Sequence, residues 1–187
     1  MLRSMIILSC LLTALGIAAT EPAYPGDSIY QVKVTLADQA GKPATLDRYA
    51  GQPTIVSMFY ASCPHVCPML VASVRRLQQD LPPAERARLR VLFVSFDPKD
   101  TPAALTEVLA KQGIDAKTWT LATTSVDEVR LVAAALGIRY RQLPDGSFSH
   151  STILTLLDAQ GRPLKKTDRF TDPEPEFRAA LAQALTK

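Results

Sequence analysis

Thr54-Ile55-Val56-Ser57-Met58-Phe59-Tyr60-Ala61-Ser62-Cys63-Pro64-His65-Val66-Cys67-Pro68 is the stretch from which the rest of the chain can be read. Thr54 to Tyr60 is apolar nearly throughout, the composition of a strand covered on both faces and hence of a parallel sheet. Beyond the cysteines, Val66, Leu70, Val74 and Leu77 recur at helical spacing until Pro82-Pro83 stops the helix. Val91 to Phe96 is a second continuous apolar run, so Thr54 to Phe96 predicts strand, helix and strand joined by a right-handed crossover. Two thiols therefore sit at the mouth of a buried strand where a helix begins. On a helix, residues four apart share a face about one 5.4 Å turn apart, so both sulfurs can face one small ion.

Working outward, Ser28 to Leu36 alternates Tyr30, Val32, Val34 and Leu36 with polar residues, the period of a half-buried strand. Asp38 to Gly41 signals a turn, and Ala44 to Leu46 reads as a short return, giving an N-terminal β-hairpin. Thr101-Pro102 has the form of an N-cap followed by proline at the first helical position, with Leu105, Val108 and Leu109 on the buried face. Trp119 to Ala122 predicts a short strand, and Ser125-Val126-Asp127-Glu128 a capping box opening a helix that ends at Gly137. Ile153 to Leu157 reads as a strand, Asp158 to Gly161 as its turn and Leu164 to Lys166 as an antiparallel return. Asp172-Pro173 is expected to cap a final helix carrying Phe177, Leu181 and Leu185. Alternating strands and helices with hairpins at both ends predict a three-layer α/β sandwich around a central mixed sheet. In such sheets ligands gather at the carboxyl ends of the strands, where the cysteines fall.

Residues 1–20 read as a secretory signal peptide: Arg3, an uncharged run from Met5 to Ala19, then small residues before Glu21-Pro22. A short retained anchor is the alternative. Cys10 follows too brief an apolar stretch for a lipid-attachment site. Residues 21–187 then form one domain with no internal repeat. The formal charge of +3 falls to +2 once Arg3 is removed, and the remaining basic residues are scattered without aromatic interleaving, which gives nucleic-acid binding no support.

Of three cysteines, Cys63 and Cys67 remain in the exported chain. Oxidising compartments favour structural disulfides, yet a cross-link four residues apart closes almost no loop and stabilises little. Metal binding or reversible oxidation is left. A helix N-terminus is expected to lower both thiol pKa values and so favour thiolate ligands. Two thiolates are incomplete for most metals, and His65 and His150 are the imidazoles available. His150, in Ser147-Phe148-Ser149-His150-Ser151 before the strand at Ile153, is placed in a loop reaching the cysteine end of the sheet. Two sulfurs and one imidazole suit Cu(I) and also hold Cu(II), whereas structural zinc wants a fourth protein ligand. His65 would point about 200° away from the thiols on a helix and is read as exposed, at a partner-docking face. Met58 and Met69 are assigned to core packing, and Asp97-Pro98-Lys99-Asp100 to a turn with a supporting role beside the site.

These segments resemble the Sco (SenC) family of copper chaperones for cytochrome c oxidase across nearly the whole exported length. The matching residues are Phe59 to Pro68, Ser95-Phe96-Asp97-Pro98-Lys99-Asp100-Thr101-Pro102, Ser149-His150-Ser151 and Leu156-Leu157-Asp158-Ala159-Gln160-Gly161. The resemblance implies a thioredoxin-like fold, periplasmic or membrane-anchored placement, and copper held by Cys63, Cys67 and His150. It also implies partners: the copper-bearing subunit of cytochrome c oxidase, and an exported thiol reductant or upstream copper donor. The family often has an acidic residue between the cysteines, where this chain has His65. Delivery of copper to the oxidase's binuclear site by thiolate exchange is the leading reading. Thiol-disulfide exchange by Cys63 and Cys67 on an exported partner is the alternative, although no proline adjoins His150 where thioredoxin-like oxidoreductases place a cis-proline. Peroxidase chemistry ranks last, for want of an arginine beside the motif.

Overall fold

The computed structural model describes residues 23–64 and 66–186. The expected export segment with Cys10, and the orientation expected of His65, lie outside the described residues. Among the described residues no helix is long and apolar enough to cross a membrane.

The central strand is β3 (Thr54–Phe59), buried at every position as its unbroken apolar sequence requires. It pairs in parallel with β4 (Arg90–Ser95), from Thr54 opposite Arg90 to Phe59 opposite Ser95. The crossover between them contains α1 (Val66–Gln79) and a short α2 (Pro83–Arg88). Pro82-Pro83 ends the first helix as expected, but Pro83 also opens the second, because a first helical position needs no N–H. β5 (Trp119–Thr123) continues the parallel set beside β4, linked through α3 (Pro102–Gln112). Thr101 caps α3 by accepting from the Ala104 N–H at 3.2 Å, and the Ser125–Glu128 capping box starts α4 (Val126–Leu136).

Antiparallel strands complete both flanks. The hairpin of β1 (Leu36–Asp38) and β2 (Pro43–Ala44) adds beside β5, while β8 (Leu154–Leu157) and β9 (Pro163–Thr167) add beside β3. The seven-stranded order is β2-β1-β5-β4-β3-β8-β9. Burial of β3, β4 and β8 on both faces means that helices cover each side of the sheet, giving the expected three layers. Trp119 anchors the core, its Nε1–H donating to Gln78 Oε1 at 2.7 Å beneath α1.

Three local expectations are corrected. Ser28 to Leu36 is not one strand: Ile29–Gln31 forms a 3-10 turn, capped by Ser28 Oγ accepting the Tyr30 N–H at 3.1 Å. Consecutive Ile29 and Tyr30 are both buried, against the Gly161 turn, so a local side-chain cap overrides the alternation. Leu46 likewise begins a 3-10 turn, Leu46–Tyr49, rather than ending the hairpin. The last helix, α5 (Pro175–Thr186), starts beyond Asp172-Pro173, since Asp172 pairs with Arg169 and Arg178 instead of capping it.

A two-stranded sheet stands apart from the main one, where the sequence pattern predicts only a loop. β6 (Tyr140–Gln142) and β7 (Phe148–His150) pair antiparallel, Tyr140 opposite His150, so His150 ends a strand rather than lying in a loop. The signal is visible in retrospect as apolar positions flanking the Pro144-Asp145-Gly146 turn.

Candidate metal centre

Parallel pairing of β3 and β4 brings their carboxyl ends together, and the Phe96 N–H donates to Phe59 O at 3.0 Å. The cysteine loop and the Asp97–Thr101 loop are therefore neighbours. Because β8 runs antiparallel to β3, the residues just before Leu154 reach the same edge, where Ser57 Oγ donates to Ile153 O at 2.7 Å. Topology alone thus carries His150 toward the thiols.

Cys63 lies just outside α1 and Cys67 within its first turn, and the Cys67 N–H donates to Cys63 Sγ at 3.3 Å. No disulfide joins them; Cys63 is half-buried and Cys67 buried. The Cys67 thiol is also hydrogen-bonded to Cys63, and this contact, followed by burial, pushes its pKa upward. The expected lowering by the helix terminus is thus reversed at Cys67: two adjoining sulfurs do not both ionise readily while an unshielded negative charge stands between them.

Tyr60, which sequence reasoning did not single out, stands between the thiols and the histidine. Burial and then the nearby Cys63 charge push the pKa of its hydroxyl up, against an opposing pull from the Phe148 backbone. Its ring lies edge-on to His150, centroids 6.1 Å apart, and 5.2 Å from Phe148. His150 also packs 4.9 Å from Phe96, and its Nδ1 stands 3.3 Å from Ser151 O. A carbonyl only accepts, so this contact favours the tautomer with its hydrogen on Nδ1, in which Nε2 carries the lone pair a metal ligand needs. Among the described residues no three His, Cys, Asp or Glu side chains gather closely enough to hold an ion. The two thiols adjoin one another, while His150 is set back across Tyr60.

Asp100 braces the cysteine loop. Its Oδ2 accepts the Ala61 N–H at 2.7 Å and the Ser95 hydroxyl at 2.5 Å. Burial raises its pKa against the pull of those two donors. Asp97 is a turn residue, accepting the Lys99 N–H at 2.9 Å. Met58 is buried as expected, but Met69 is 49% exposed, because Cys67, Leu70, Val71 and Val74 hold the core face of α1 and Met69 falls opposite. A cleft of about 380 Å³ runs between the thiols and α3, with Cys63, Cys67 and Tyr60 in one wall and Ala104, Val108 and Lys111 in the other. His150 does not line it, so the cleft opens the sulfurs on the α3 side only.

The family model described as SCO1/SenC matches residues 23–186. The chain belongs to the SCO1/SenC family. Among curated relatives of this SCO1/SenC chain, a Stutzerimonas stutzeri protein named for copper binding is 27% identical over 134 residues, 69% of this chain. The chain spans just under two thirds of the length of two of the curated relatives it matches, 64% for that one and 65% for a SCO2-like protein of Rickettsia conorii. In three dimensions it is similar to Bradyrhizobium japonicum ScoI, solved with copper bound, at a TM-score of 0.68 and 24% identity over 81% of this chain and 96% of the other. BsSco, described as a Sco-family cytochrome c oxidase assembly protein with a disulfide switch, matches at a TM-score of 0.69 and 23% identity over 83% and 93%. The thioredoxin-like fold expected from the sequence is borne out by these neighbours.

Proposed function

We propose that this protein is an exported, periplasmic copper chaperone that holds one copper ion through Cys63, Cys67 and His150 and passes it to the binuclear copper site of cytochrome c oxidase. The observation that carries this reading is the donor set at one sheet edge: two adjoining thiols without a disulfide, and His150 across Tyr60 with its Nδ1 facing Ser151 O. Soft sulfur with one imidazole fits copper. The copper-bound ScoI neighbour and the oxidase-assembly description of BsSco support the same reading. Copper is cargo here. An incoming thiolate enters the cleft beside α3 and forms a copper–sulfur bond as the bond to Cys63 breaks; Cys63 then takes up a proton, and Cys67 follows. His150, outside the cleft, stays bound longest and holds the ion during exchange.

Anaerobic Cu(I) titration of the reduced protein against a competing chelator tests this, with His150→Ala in parallel. One copper per chain, weakened by the substitution, is the expected result; no retained copper refutes the chaperone reading. A second reading, thiol-disulfide exchange with an exported protein, is favoured by the contact between the Cys63 and Cys67 sulfurs and the partial exposure of Cys63. Turnover with a disulfide substrate, coupled to oxidation of both cysteines, would put it first.

A further inference from the structure

The sheet has a second pole. Arg90 is the first residue of β4 and Thr118 stands just before β5, so both lie at the amino ends of the parallel strands, about 20 Å from the thiols along a strand of 6 residues. A cavity of about 240 Å³ opens there, with Arg48, Tyr49, Arg90, Lys117, Thr118 and Thr120 in its walls and no carboxylate among the described residues lining it. Like charges gathered in one place repel unless a counter-charge or solvent offsets them. Among the described residues only Arg48 has such a partner, Asp38 Oδ2 at 3.3 Å, and the other oxygen of that carboxylate is taken by the Ala40 and Lys42 N–H groups. Arg90 is held in place without being satisfied. Its Nη1 donates to Ala87 O at 3.2 Å and to Lys117 O at 3.3 Å, while Nε and Nη2 have no hydrogen bond among the described residues. Thr118 Oγ1 accepts from Gln78 Nε2 at 3.4 Å, which leaves its own hydrogen to donate. Tyr49 is buried, and its hydroxyl has no hydrogen-bond partner among the described residues. The side chains around this cavity thus offer positive charge and donors in excess of the acceptors that the fold supplies. A guanidinium edge and an ammonium match the oxygens of a phosphate group.

We propose that this pole binds the phosphate group of an anionic ligand, its oxygens taken by Arg90, Lys117 and Arg48 with the Thr118 hydroxyl donating beside them. Inorganic phosphate and the headgroup of an anionic phospholipid carry this same chemistry. The site stands apart from the thiols and does not depend on the copper reading. A ligand surface held here leaves the cysteine end of the sheet pointing away from it.

Titration of the protein with inorganic phosphate at fixed ionic strength, followed by amide NMR, tests the site. Lys117→Gln and Arg48→Gln are the site variants, and Lys165→Gln, exposed on β9, is a control of equal charge. Saturable shifts at Arg90, Lys117 and Thr118 are expected, weakened at least about fivefold by either site variant and less than about twofold by the control. Shifts that rise without saturating, or equal weakening by all three substitutions, overturn the site and reduce it to general charge. Co-sedimentation with phosphatidylglycerol vesicles, against phosphatidylcholine vesicles, separates the two sources. Retention on phosphatidylglycerol that free phosphate displaces and Lys117→Gln weakens assigns the lipid headgroup. Saturable phosphate binding without vesicle retention, or with retention indifferent to Lys117→Gln, assigns a soluble phosphate.

Discussion

Asp100→Ala is the substitution whose effect can be worked most directly from the site. The half-buried carboxylate holds the cysteine loop to β4 through the Ala61 N–H at 2.7 Å and the Ser95 hydroxyl at 2.5 Å. Hydrogen bonds to an ionised group contribute about 1.5–3 kcal/mol each, so the gross loss is about 3–6 kcal/mol. Two effects reduce it: Ser95 Oγ keeps its contact from the Asp97 N–H at 3.1 Å, and the burial that raises the Asp100 pKa disappears with the charge. A net destabilisation of about 2 kcal/mol is expected, or a shift of about 1 M in urea midpoint for a domain of this size. Equilibrium urea unfolding followed by circular dichroism measures it. The pH dependence carries a sign: because the folded pKa is raised, folding favours the protonated carboxyl, and this group's contribution is lost as pH rises from the unfolded value near 4 through the folded one. Asp100→Asn should flatten that part of the stability–pH profile. A midpoint for Asp100→Ala within about 0.2 M of wild type would refute the bracing argument, since it would mean that neither donor needs the carboxylate.

Iodoacetamide at pH 8 should label Cys63 at least tenfold faster than Cys67, because Cys63 is partly exposed while Cys67 is buried with a raised pKa; equal labelling in peptide mass spectra would contradict the assignment. Gly161→Ala should destabilise by at least about 2 kcal/mol in thermal or urea unfolding. At φ +78° the added Cβ would stand 2.5 Å from Cδ2 of the buried Tyr30 and 2.6 Å from Ser28 Oγ. The Ser125 hydroxyl, the Thr35 N–H and Thr124 hold the Glu128 pKa down to about 2, so its stabilising effect is present above the unfolded value near 4.3 and fades as pH falls from there toward 2. Carboxyl NMR titration should find that low value in wild type and a higher one in Ser125→Ala, which should also cost about 1 kcal/mol of helix capping.

Much of the fold was legible because its signals are local. The apolar runs at Thr54 and Val91, the Thr101 cap, the Ser125–Glu128 box and the Gly137 terminus each reappear where their spacing puts them. Misreadings arose where a contact distant in sequence outweighed the pattern. Ser28 and Tyr30 answer to the turn at Gln160 and Gly161, far along the chain, rather than to their own alternation. Met69, read as lying near the core-facing stripe of α1, falls instead on its exposed side, because Cys67, Leu70, Val71 and Val74 fill the buried one.

At the site, the sequence by itself determined the chemistry on offer: two thiols four residues apart at a strand-to-helix turn, and an imidazole just before a strand. Spacing along one segment suffices for that, since neighbouring residues share a helix turn whatever surrounds them. Tertiary structure alone decided what those groups meet. Antiparallel entry of β8 carries His150 to the cysteine edge, Tyr60 keeps it set back from the sulfurs, and the adjoining Cys63 and burial push the Cys67 pKa up where the helix terminus would have lowered it. The placement of His150 depends on strand pairing between segments roughly ninety residues apart, and the burial that adds to the Cys63 contact depends on the packed core, so no local pattern encodes either.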